Sequence, residues 1–563
     1  MDLVRRAVPE SASMLAAAGI VPALARVYAA RGIRTPAELA VDLAGLPSWT
    51  TLKGIEAATE RLAQAIARAE RLLIVADYDA DGATACALGV LGLRAMGAEV
   101  DFLVPNRFEF GYGLTPEIVA LAAERQPRLI ITVDNGIASV EGVAAARERG
   151  IEVLITDHHL PGPELPATEL IVNPNQAGCG FPSRHLAGVG VMFYVLLGLR
   201  ACLRERGHFS AGTEPNLAGF LDLVALGTVA DVVTLDRLNR ILVTQGLRRI
   251  RAGRMQPGVR ALLDVASRDP ARATAYDLGF VAGPRLNAAG RLADMSIGIA
   301  CLISPDAATA APLAAQLDEL NRARRDIEST IQVQALDGLA NVADDRYTVC
   351  AYHPEWHQGV IGIVASRLKD RFHRPAVVFA RGSEGELRGS GRSIGGFHLR
   401  DALDLVAKRA PGTIRRFGGH AFAAGLTLGE DALARFTDEF ERVAREQLTP
   451  SALRRTLETD GELQAPELTM ALARQIGEEV WGQGFPAPLF EGRFDVLEQR
   501  LIAGKHLRLT VAAPPARFQA VVFDAAGPLP ARVRVTYRPE IDRFQDLESL
   551  QLVIDSWQPD SAC

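Results

Sequence analysis

Three short apolar segments in the first third of the chain each run into acidic or imidazole side chains. They are Leu72–Ala76, Leu129–Val133 and Ile151–Thr156, and all are rich in β-branched residues. A helical stretch, Thr84–Met96, follows the first segment, and a further strand is expected at 98–104. Strands that alternate with helices predict βαβ units and a parallel sheet. Because parallel strands end at one edge of their sheet, the polar groups that follow them are expected to meet there.

The middle of the chain predicts a connecting helix and a second α/β region. The segment Leu313–Val342 contains no proline and is rich in Ala, Leu, Glu and Arg, which favours one long helix. Strands are expected at Thr348–Tyr352 and Ala376–Ala380 with a helix between them. Two glycine-rich stretches follow, at 389–393 and 418–425.

The two ends of the chain differ from the middle. Residues up to about 60 predict short helices interrupted by Pro and Gly. After Pro450, alternating apolar and polar positions predict antiparallel strands, among them 507–511, 518–523 and 533–537. Such a run of strands indicates a small barrel, and an oligonucleotide-binding barrel is one option.

Composition narrows the class of protein only a little. The 563 residues exceed what one core accommodates, so several domains are expected. The net charge of -6 neither indicates nor excludes nucleic-acid binding, because a local basic groove matters more than the total. Six scattered cysteines without a CxxC pair argue against disulfides and zinc ribbons. With no signal-like N terminus and no apolar stretch long enough to span a bilayer, a cytoplasmic protein is expected.

The polar residues near the predicted strand ends have the chemistry of metal ligands. Carboxylates combined with imidazole suit Mn²⁺, with Mg²⁺ as the alternative. Asp77 and Asp79 are two positions apart, so both carboxylates face one side of an extended segment. The acids would repel one another, whereas two cations about 3.5–4 Å apart would neutralise them and act on a phosphodiester. The expected ligands are Asp77, Asp79, Asp134, His158 and Asp231.

Each of these motifs also has an ordinary structural explanation. Asp81-Gly82 and Asp134-Asn135-Gly136 are typical turn sequences, and Asp231 could cap a helix. The metal hypothesis rests on the three strand ends taken together. The chain has no Gly-x-x-x-x-Gly-Lys-Ser/Thr motif and no Gly-x-Gly-x-x-Gly after its first strand. A nucleotide-driven motor and a dinucleotide cofactor are therefore disfavoured.

Basic and small residues elsewhere could hold a phosphate chain. The arginine fork matches phosphate oxygens, and glycines let backbone N–H groups approach, although a surface ion pair is an equal alternative for each arginine. Aromatic residues such as Trp356, Phe397 and Phe422 could stack bases, although packing in a core is the more common role. The candidates for substrate binding are Arg107, Arg285, Asn287, Arg291, Ser390, Arg392 and His420.

Two sets of motifs together resemble a known family. Four look like those of the DHH phosphoesterase superfamily: Asp77–Gly82, Val133–Ile137, Thr156–His159 and Gly227–Val232. Narrower motifs are similar to those of bacterial exonucleases in that superfamily that are specific for single-stranded DNA; these lie at 105–114, 283–292, 356–367 and 418–425. The resemblance extends from about residue 57 to about residue 557.

The resemblance implies an α/β fold. A DHH-type parallel-sheet domain would be joined by a long helix to a second α/β (DHH-associated) domain, followed by a C-terminal oligonucleotide-binding β-barrel, together enclosing a channel for one strand. The implied boundaries are an N-terminal helical segment at 1–56, the DHH catalytic domain at 57–270, connecting helices at 271–343, the DHH-associated domain at 344–448 and the barrel at 449–563.

The resemblance also implies an activity, namely 5′→3′ hydrolysis of single-stranded DNA to 5′-mononucleotides in repair and recombination, with Mn²⁺ or Mg²⁺. Asp77 would bind one metal, and Asp79, His158 and Asp231 the other. Asp134 would bridge the two metals.

The same resemblance implies roles for residues that contact the DNA. His159 would polarise the scissile phosphate, and Arg107, Ser390 and Arg392 would grip the 5′-phosphate end. One position departs from the family pattern. Some relatives carry a metal-binding histidine two residues before the first aspartate, where this chain has Val75, so one site is expected to bind its metal more weakly.

Two other functions are alternatives to this one. One is a phosphoesterase of the same family acting on short oligonucleotides or cyclic dinucleotides, and the other is a non-catalytic single-strand-binding protein. The expected partners are single-stranded DNA with a 5′ end, a single-stranded-DNA-binding protein and a helicase. A monomer without membrane attachment is expected.

Overall fold

The computed structural model describes residues 2–106, 110, 113–339, 345–382, 385–525, 527–544 and 547–560. Its internal contacts divide the chain into two units. The larger unit comprises Arg5–Gly290, Asp294–Asp318 and 458–560. The smaller unit comprises Glu319–Leu457 with short segments at 2–4 and Arg291–Ala293. Each unit has apolar clusters of its own.

The first third of the chain contains the predicted parallel sheet, which lies in the larger unit. Its elements are β1 (Asp2–Arg5), α1 (Ser11–Ala17), α2 (Pro22–Ala29), α3 (Ile55–Ala67), β2 (Arg71–Ala76), α4 (Ala80–Ala95), β3 (Glu99–Leu103), α5 (Pro116–Ala123), β4 (Leu129–Val133), α6 (Val140–Glu148), β5 (Glu152–Thr156) and β6 (Ile171–Val172). The strand order is β3-β2-β4-β5-β6, and every pair is parallel. The ends of β2, β4 and β5 therefore lie side by side at one edge.

Both faces of this sheet are covered, as a nearly continuous apolar strand pattern requires. On one face, Val75 and Ile130 pack in a buried cluster with residues of α5 and α6, such as Ile118 and Val143. On the other face, Ile74 lies against Gly89 of α4, where a Cβ would be 2.8 Å from its side chain.

A set of helices follows the sheet. These are α7 (Gly188–Glu205), α8 (Leu221–Ala230), α9 (Arg237–Arg251), α10 (Pro257–Val265), a π-helical segment (Asp277–Ala282), α11 (Gly283–Leu292), α12 (Ser296–Leu302) and the long α13 (Ala307–Gly338). The last one corrects the predicted bounds of the connecting helix, because it begins before Pro312 and contains that proline. The alanines that precede Pro312 are strong helix formers, and a proline near a helix N terminus removes few backbone bonds.

The smaller unit is the predicted second α/β region. It contains β7 (Val349–Tyr352), α14 (Ile361–Phe372), β8 (Ala376–Arg381), β9 (Glu386–Arg392), α15 (Leu399–Arg409), β10 (Arg416–Gly419), β11 (Ala423–Gly429) and α16 (Leu433–Gln447). The strand order is β10-β11-β9-β8-β7, with only β7 and β8 parallel among the described pairs. The first glycine-rich stretch lies in β9, where Gly389 packs against Phe379 and Gly391 against Leu399. The second forms the end of β10, the turn at 420–422 and the start of β11.

The C-terminal strands close into the predicted barrel. The elements are β12 (Thr456–Thr459), α17 (Met470–Glu478), β13 (Phe490–Ile502), β14 (His506–Ala513), β15 (Ala516–Val522), β16 (Arg532–Phe544) and β17 (Leu547–Pro559). The barrel order is β13-β14-β15-β17-β16, and the β15–β17 pair is parallel, which differs from the all-antiparallel expectation. β12 instead pairs with β1, so residues 2–5 form a strand in a segment predicted to be helical. No helix among the described residues is both long and apolar enough to cross a bilayer.

Candidate metal centre

The loop after β2 places two carboxylates at the carboxyl edge of the sheet. Asp79 is the N-cap of α4, because its carboxylate accepts hydrogen bonds from the amides of Asp81 and Gly82 at 2.9 and 3.0 Å. A Cβ on Gly82 would lie 2.5 Å from the carbonyl oxygen of Asp77, so the close approach requires glycine. The alternative of an Asp81-Gly82 turn is wrong, since both residues lie in the first turn of α4.

The loop after β4 holds Asp134 in a left-handed backbone conformation, with φ of 62°. This conformation is unfavourable for residues other than glycine and recurs at functional sites. The Asn135 amide donates to the carbonyls of Val75 (3.2 Å) and Val133 (2.9 Å), which ties the loop to both strand ends. Gly188, the first residue of α7, packs against this loop, because a Cβ there would lie 2.7 Å from Asp134 Cβ.

The loop after β5 is organised by the buried carboxylate of Asp157. Its Oδ1 accepts hydrogen bonds from the amides of His158 (2.7 Å) and His159 (3.1 Å) and lies 2.7 Å from Nδ1 of His159. Its Oδ2 accepts from the Ile137 amide at 2.9 Å. Burial opposes the charged form of His159, but the hydrogen bond to Asp157 and its charge outweigh burial and raise the pKa of His159 to about 9.

Helices supply two further carboxylates. Asp231 immediately follows α8, and its Oδ2 lies 3.5 Å from Nε2 of His158. The fully buried Asp81 accepts hydrogen bonds from the amides of Gly188 (2.6 Å) and Val189 (2.9 Å) at the start of α7. Its Oδ2 is 3.9 Å from the same His158 nitrogen. Sequence reasoning did not single out Asp81, although its place in the Asp-x-Asp-x-Asp run is a visible signal.

These side chains converge into three overlapping groups whose candidate ligand atoms lie within 4.8 Å of one another. Asp134 and His158 each belong to two of the groups. The groups are Asp77, Asp79 and Asp134; Asp134, His158 and His159; and Asp81, His158 and Asp231. All five predicted ligands are therefore brought together. In this grouping, however, Asp79 lies with Asp77, and Asp81 takes the expected place of Asp79 beside His158 and Asp231.

The electrostatics of the cluster favour a bound cation. Burial, together with the neighbouring carboxylates, raises the pKa of Asp134 and Asp231 well above the ordinary value. Burial and the charge of Asp79 raise the pKa of Asp81 to about 7, and burial lowers the pKa of His158 to about 4. A divalent cation would reverse the shifts of the carboxylates, because it stabilises their charged forms. It would favour the neutral imidazole of His158 still more, because that form ligates the metal.

The nitrogen of His158 provides a geometric test of whether a metal fits. Nε2 is buried and makes no hydrogen bond of acceptable angle among the described residues. It faces carboxylate oxygens of Asp134 at 3.0 Å and Asp231 at 3.5 Å. A buried nitrogen directed at carboxylates is costly unless a cation lies between them, so the residues present fit a divalent metal.

Two of the predicted substrate-binding residues have roles inside the protein. Arg285 forms an ion pair with Asp318 at 2.8 Å and donates to the Val281 carbonyl at 2.7 Å, with both charged side chains largely buried. The guanidinium is therefore engaged within the larger unit, and its predicted phosphate contact stays a prediction. Asn287 accepts a hydrogen bond from the Ala80 amide at 2.9 Å, so it holds the loop that carries Asp77 and Asp79.

In the smaller unit, Ser390 and Arg392 lie beside the first turn of α14. Nη1 of Arg392 donates to Ser390 Oγ at 3.3 Å and to the Gly391 carbonyl at 2.9 Å. A Cβ on Gly362 would lie 2.9 Å from Ser390 Oγ and 3.2 Å from Nη2 of Arg392, so glycine allows the helix to approach. Burial lowers the pKa of Arg392, as expected for a cation that a bound anion would stabilise.

The remaining candidates are more dispersed. Arg291 donates to the Gly359 carbonyl at 3.3 Å, and His420 is exposed in the turn between β10 and β11. Arg107 lies outside the described residues. Trp356 and Phe397 are buried in cores, whereas Phe422 is exposed.

The fold and the metal-ligand cluster define a DHH-type phosphoesterase. Family models match the chain at 71–228 (DHH family, N-terminal domain), 344–446 (DHHA1 domain) and 459–556 (RecJ OB domain). The chain belongs to the RecJ family of single-stranded-DNA-specific exonucleases, which confirms the family expected from the motifs.

Relatives in three bacteria show how far the similarity extends. The single-stranded-DNA-specific exonuclease RecJ of Dickeya dadantii is 51% identical over 551 residues, which cover 95% of this chain and 96% of the relative. The Escherichia coli protein of the same name is 48% identical over 99% of both chains. RecJ of Thermus thermophilus, solved in complex with Mn²⁺, superposes with a TM-score of 0.84 at 29% identity and covers 100% of this chain and 80% of that chain. The expected fold class is thereby confirmed.

Proposed function

We propose that this exonuclease removes 5′-mononucleotides from the 5′ end of single-stranded DNA with two divalent cations, Mn²⁺ or Mg²⁺. The observation that carries the proposal is the set of three overlapping ligand groups at the edge of the parallel sheet, joined through Asp134 and His158. Solved RecJ structures in complex with Mn²⁺ and with Mg²⁺ support the choice of metals. The particular role of each ligand is part of the proposal.

The residues would divide between two metal positions. Asp77 would hold one cation, His158 and Asp231 the other, and Asp134 both. The family resemblance also assigns Asp79 to the second cation, whereas its grouping with Asp77 in the structure favours the first. When bound, the cations would supply a nucleophilic water near neutral pH and stabilise the leaving oxygen. Val75 contributes no ligand, since its side chain is buried in the apolar cluster beneath the sheet.

The chain's own groups orient the phosphodiester. Asp157 fixes the ring of His159 by engaging Nδ1 and, against the effect of burial, favours its positively charged form. A fixed positive imidazole would polarise the scissile phosphate and stabilise the charge that develops on its oxygens. His159 is therefore proposed as a catalytic residue, and Asp157 as the residue that positions it.

Direction along the strand would come from the smaller unit. The first turn of a helix offers unpaired amides, and an arginine fork matches phosphate oxygens, so the surroundings of Ser390 and Arg392 suit a terminal phosphate. Four other residues remain predicted to bind the substrate, namely Arg107, Arg291, Asn287 and His420.

Two alternatives fit the observations less well. A phosphoesterase for short oligonucleotides or cyclic dinucleotides has no need of the closed C-terminal barrel, which suits a longer strand. A non-catalytic binding protein would gain nothing from clustered carboxylates, because they repel DNA unless metals neutralise them. A monomer in the cytoplasm, a single-stranded-DNA-binding protein and helicase as partners, and a role in repair and recombination complete the proposal.

The test is digestion of labelled single strands by the purified chain with and without Mn²⁺. Wild type should release 5′-mononucleotides from the 5′ end only with metal and leave blunt duplex intact. Asp222→Asn is the matched control for Asp134→Ala, because Asp222 is equally buried but binds the Gln256 amide at the far end of α8. Digestion from the 3′ end, or rapid loss of blunt duplex, would overturn the proposal.

A further inference from the structure

Three exposed apolar side chains lie on two segments that pack together at the end of α8, next to Asp231. Tyr276 and Phe280 are 59% and 70% exposed, and their rings stack with centroids 5.1 Å apart. Val232, which follows Asp231 directly, is 62% exposed. Large apolar side chains grouped at the surface commonly mark a binding site. None of the three takes part in the metal centre described above.

Backbone contacts connect the segment with the two aromatic residues to the end of α8. Gly279, between the two aromatic residues, packs against Val229, because a Cβ there would lie 2.9 Å from Cγ1 and 3.5 Å from the carbonyl oxygen of Val229. The Val232 amide donates to that same carbonyl at 3.3 Å. Gly283 likewise lies against Ala230, with a Cβ 3.1 Å from its own. The segment that carries the two rings therefore packs against the turn that presents Asp231.

The backbone at both places is unusual. Val232 has a φ of 62°, a left-handed conformation that is a clear outlier for a β-branched residue. Phe280 lies in a π-helical segment, Asp277–Ala282, and Tyr276 immediately precedes it. Such π-turns occur frequently at functional sites. The segment continues into α11, whose Asn287 accepts a hydrogen bond from Ala80 in the Asp77–Gly82 loop, so α11 links this segment to the metal centre.

We propose that Val232, Tyr276 and Phe280 form a base platform, on which an unpaired base of the substrate strand stacks close to the scissile phosphate. The proposal rests on the function proposed above and adds a contact that distinguishes single-stranded from duplex DNA. Every nucleobase has a π face, so the platform accepts any sequence. A paired and stacked base cannot offer that face, so duplex DNA would fail to engage it.

Phe280→Ala and Tyr276→Ala test the base platform. Each should raise KM for single strands about ten-fold with little change in kcat, as loss of one stacked base contact predicts. Phe280→Tyr and Tyr276→Phe should restore KM, because the ring is kept. Met14→Ala is the matched control, since Met14 is equally exposed at 59% but lies in α1.

A chemical cycle separates stacking from folding. A series of strands each carries one abasic site, placed at successive positions from the 5′ end. At one of these positions the missing base should weaken binding to wild type, whereas the same strand should bind Phe280→Ala no more weakly than an intact strand does. The proposal is overturned if Phe280→Ala leaves KM unchanged, or if its defect is the same on every abasic strand. Failure of wild type to release mononucleotides from an intact strand would instead overturn the proposed function.

Discussion

The two sheets of this chain share a layered α/β architecture but carry opposite chemistry. In the larger unit, parallel strands β2, β4 and β5 end at carboxylates and imidazoles that converge within 4.8 Å. In the smaller unit, the candidate residues lie within β9, where Ser390 and Arg392 meet the first turn of α14. The carboxyl edge of the first sheet suits cations, whereas the central strand of the second sheet, beside α14, suits a phosphate. Architecture places the residues, and the residue types alone decide the ligand.

Removal of the shared carboxylate should have the largest effect. Asp134→Ala takes a ligand from two of the three groups, so kcat/KM should fall by more than about 100-fold, beyond the usual loss of an outer partner. Single-strand digestion at saturating Mn²⁺ measures it. Asp222→Asn should keep the wild-type rate. If Asp134→Ala also keeps the wild-type rate, the edge of the first sheet is not the metal site.

Metal binding should depend on pH in a defined direction. The pKa values of Asp81, Asp134 and Asp231 are raised in the folded protein. Between the ordinary and the raised values, the folded metal-free protein therefore keeps protons on these carboxylates that the unfolded chain has released. Its stability should therefore fall as pH rises from 3.8, the ordinary value, towards about 7 for Asp81. Mn²⁺ competes with these protons, so its stabilising effect should grow between about pH 5 and pH 8, towards about 2.7 kcal/mol at a hundred times Kd.

Thermal unfolding with and without Mn²⁺ measures this effect. Asp134→Asn should remove most of the increase in Tm at high pH. An increase in Tm that is the same at both pH values would contradict the assignment of the buried carboxylates as ligands.

A substitution of Asp157 tests whether this residue acts by orienting His159. The Asp157 carboxylate accepts hydrogen bonds from backbone amides and contacts Nδ1 of His159. In Asp157→Asn one oxygen is replaced by an NH2 group, which cannot accept, so the His159 ring should lose its fixed orientation. We expect kcat to fall about 10–100-fold. In the background of His159→Ala, Asp157→Asn should cost little more, because it acts through that ring. A full additional loss in the double variant would show a separate role.

Arg392 tests the phosphate side of the comparison. Arg392→Ala should raise KM about ten-fold for strands with a 5′-phosphate and much less for strands with a 5′-hydroxyl, since a charge-assisted contact is lost. Arg416→Ala, an exposed arginine of the same sheet, is the control. Equal effects on both strand ends would remove Arg392 from 5′-phosphate recognition.

Arg285 should give the smallest effect on DNA. Because its guanidinium pairs with Asp318 inside the larger unit, Arg285→Ala should leave KM within about two-fold while it lowers stability by about 3 kcal/mol, the usual cost of breaking a buried pair. Denaturant unfolding and single-strand digestion separate the two. A large rise in KM at unchanged stability would restore the substrate role predicted from the sequence.

Four of the five strands of the first sheet could be predicted to within a residue or two, because their apolar runs are clearly bounded, whereas the two-residue β6 was not predicted. The five ligand candidates followed from those ends, since parallel strands must deliver them to one edge. Asp157 and Asp81 were missed because their roles come from amides far along the chain, those of Ile137 and Gly188. Such bonds form only once the fold exists.

Other departures have similar causes. β9 is rich in glycine, which disfavours strands by propensity, yet Phe379 and Leu399 pack where side chains would otherwise be. The ion pair of Arg285 could not be predicted from the sequence, because its partner, Asp318, lies on another helix. The parallel β15–β17 pair reflects barrel closure, which an alternating pattern does not encode.

The most direct test of the central claim is to locate Mn²⁺ by anomalous scattering in crystals of the purified chain. The account predicts two Mn²⁺ ions at the edge of the parallel sheet, both contacting Asp134, with His158 on one of them. A single ion that does not contact Asp134, or ions bound only elsewhere, would contradict it.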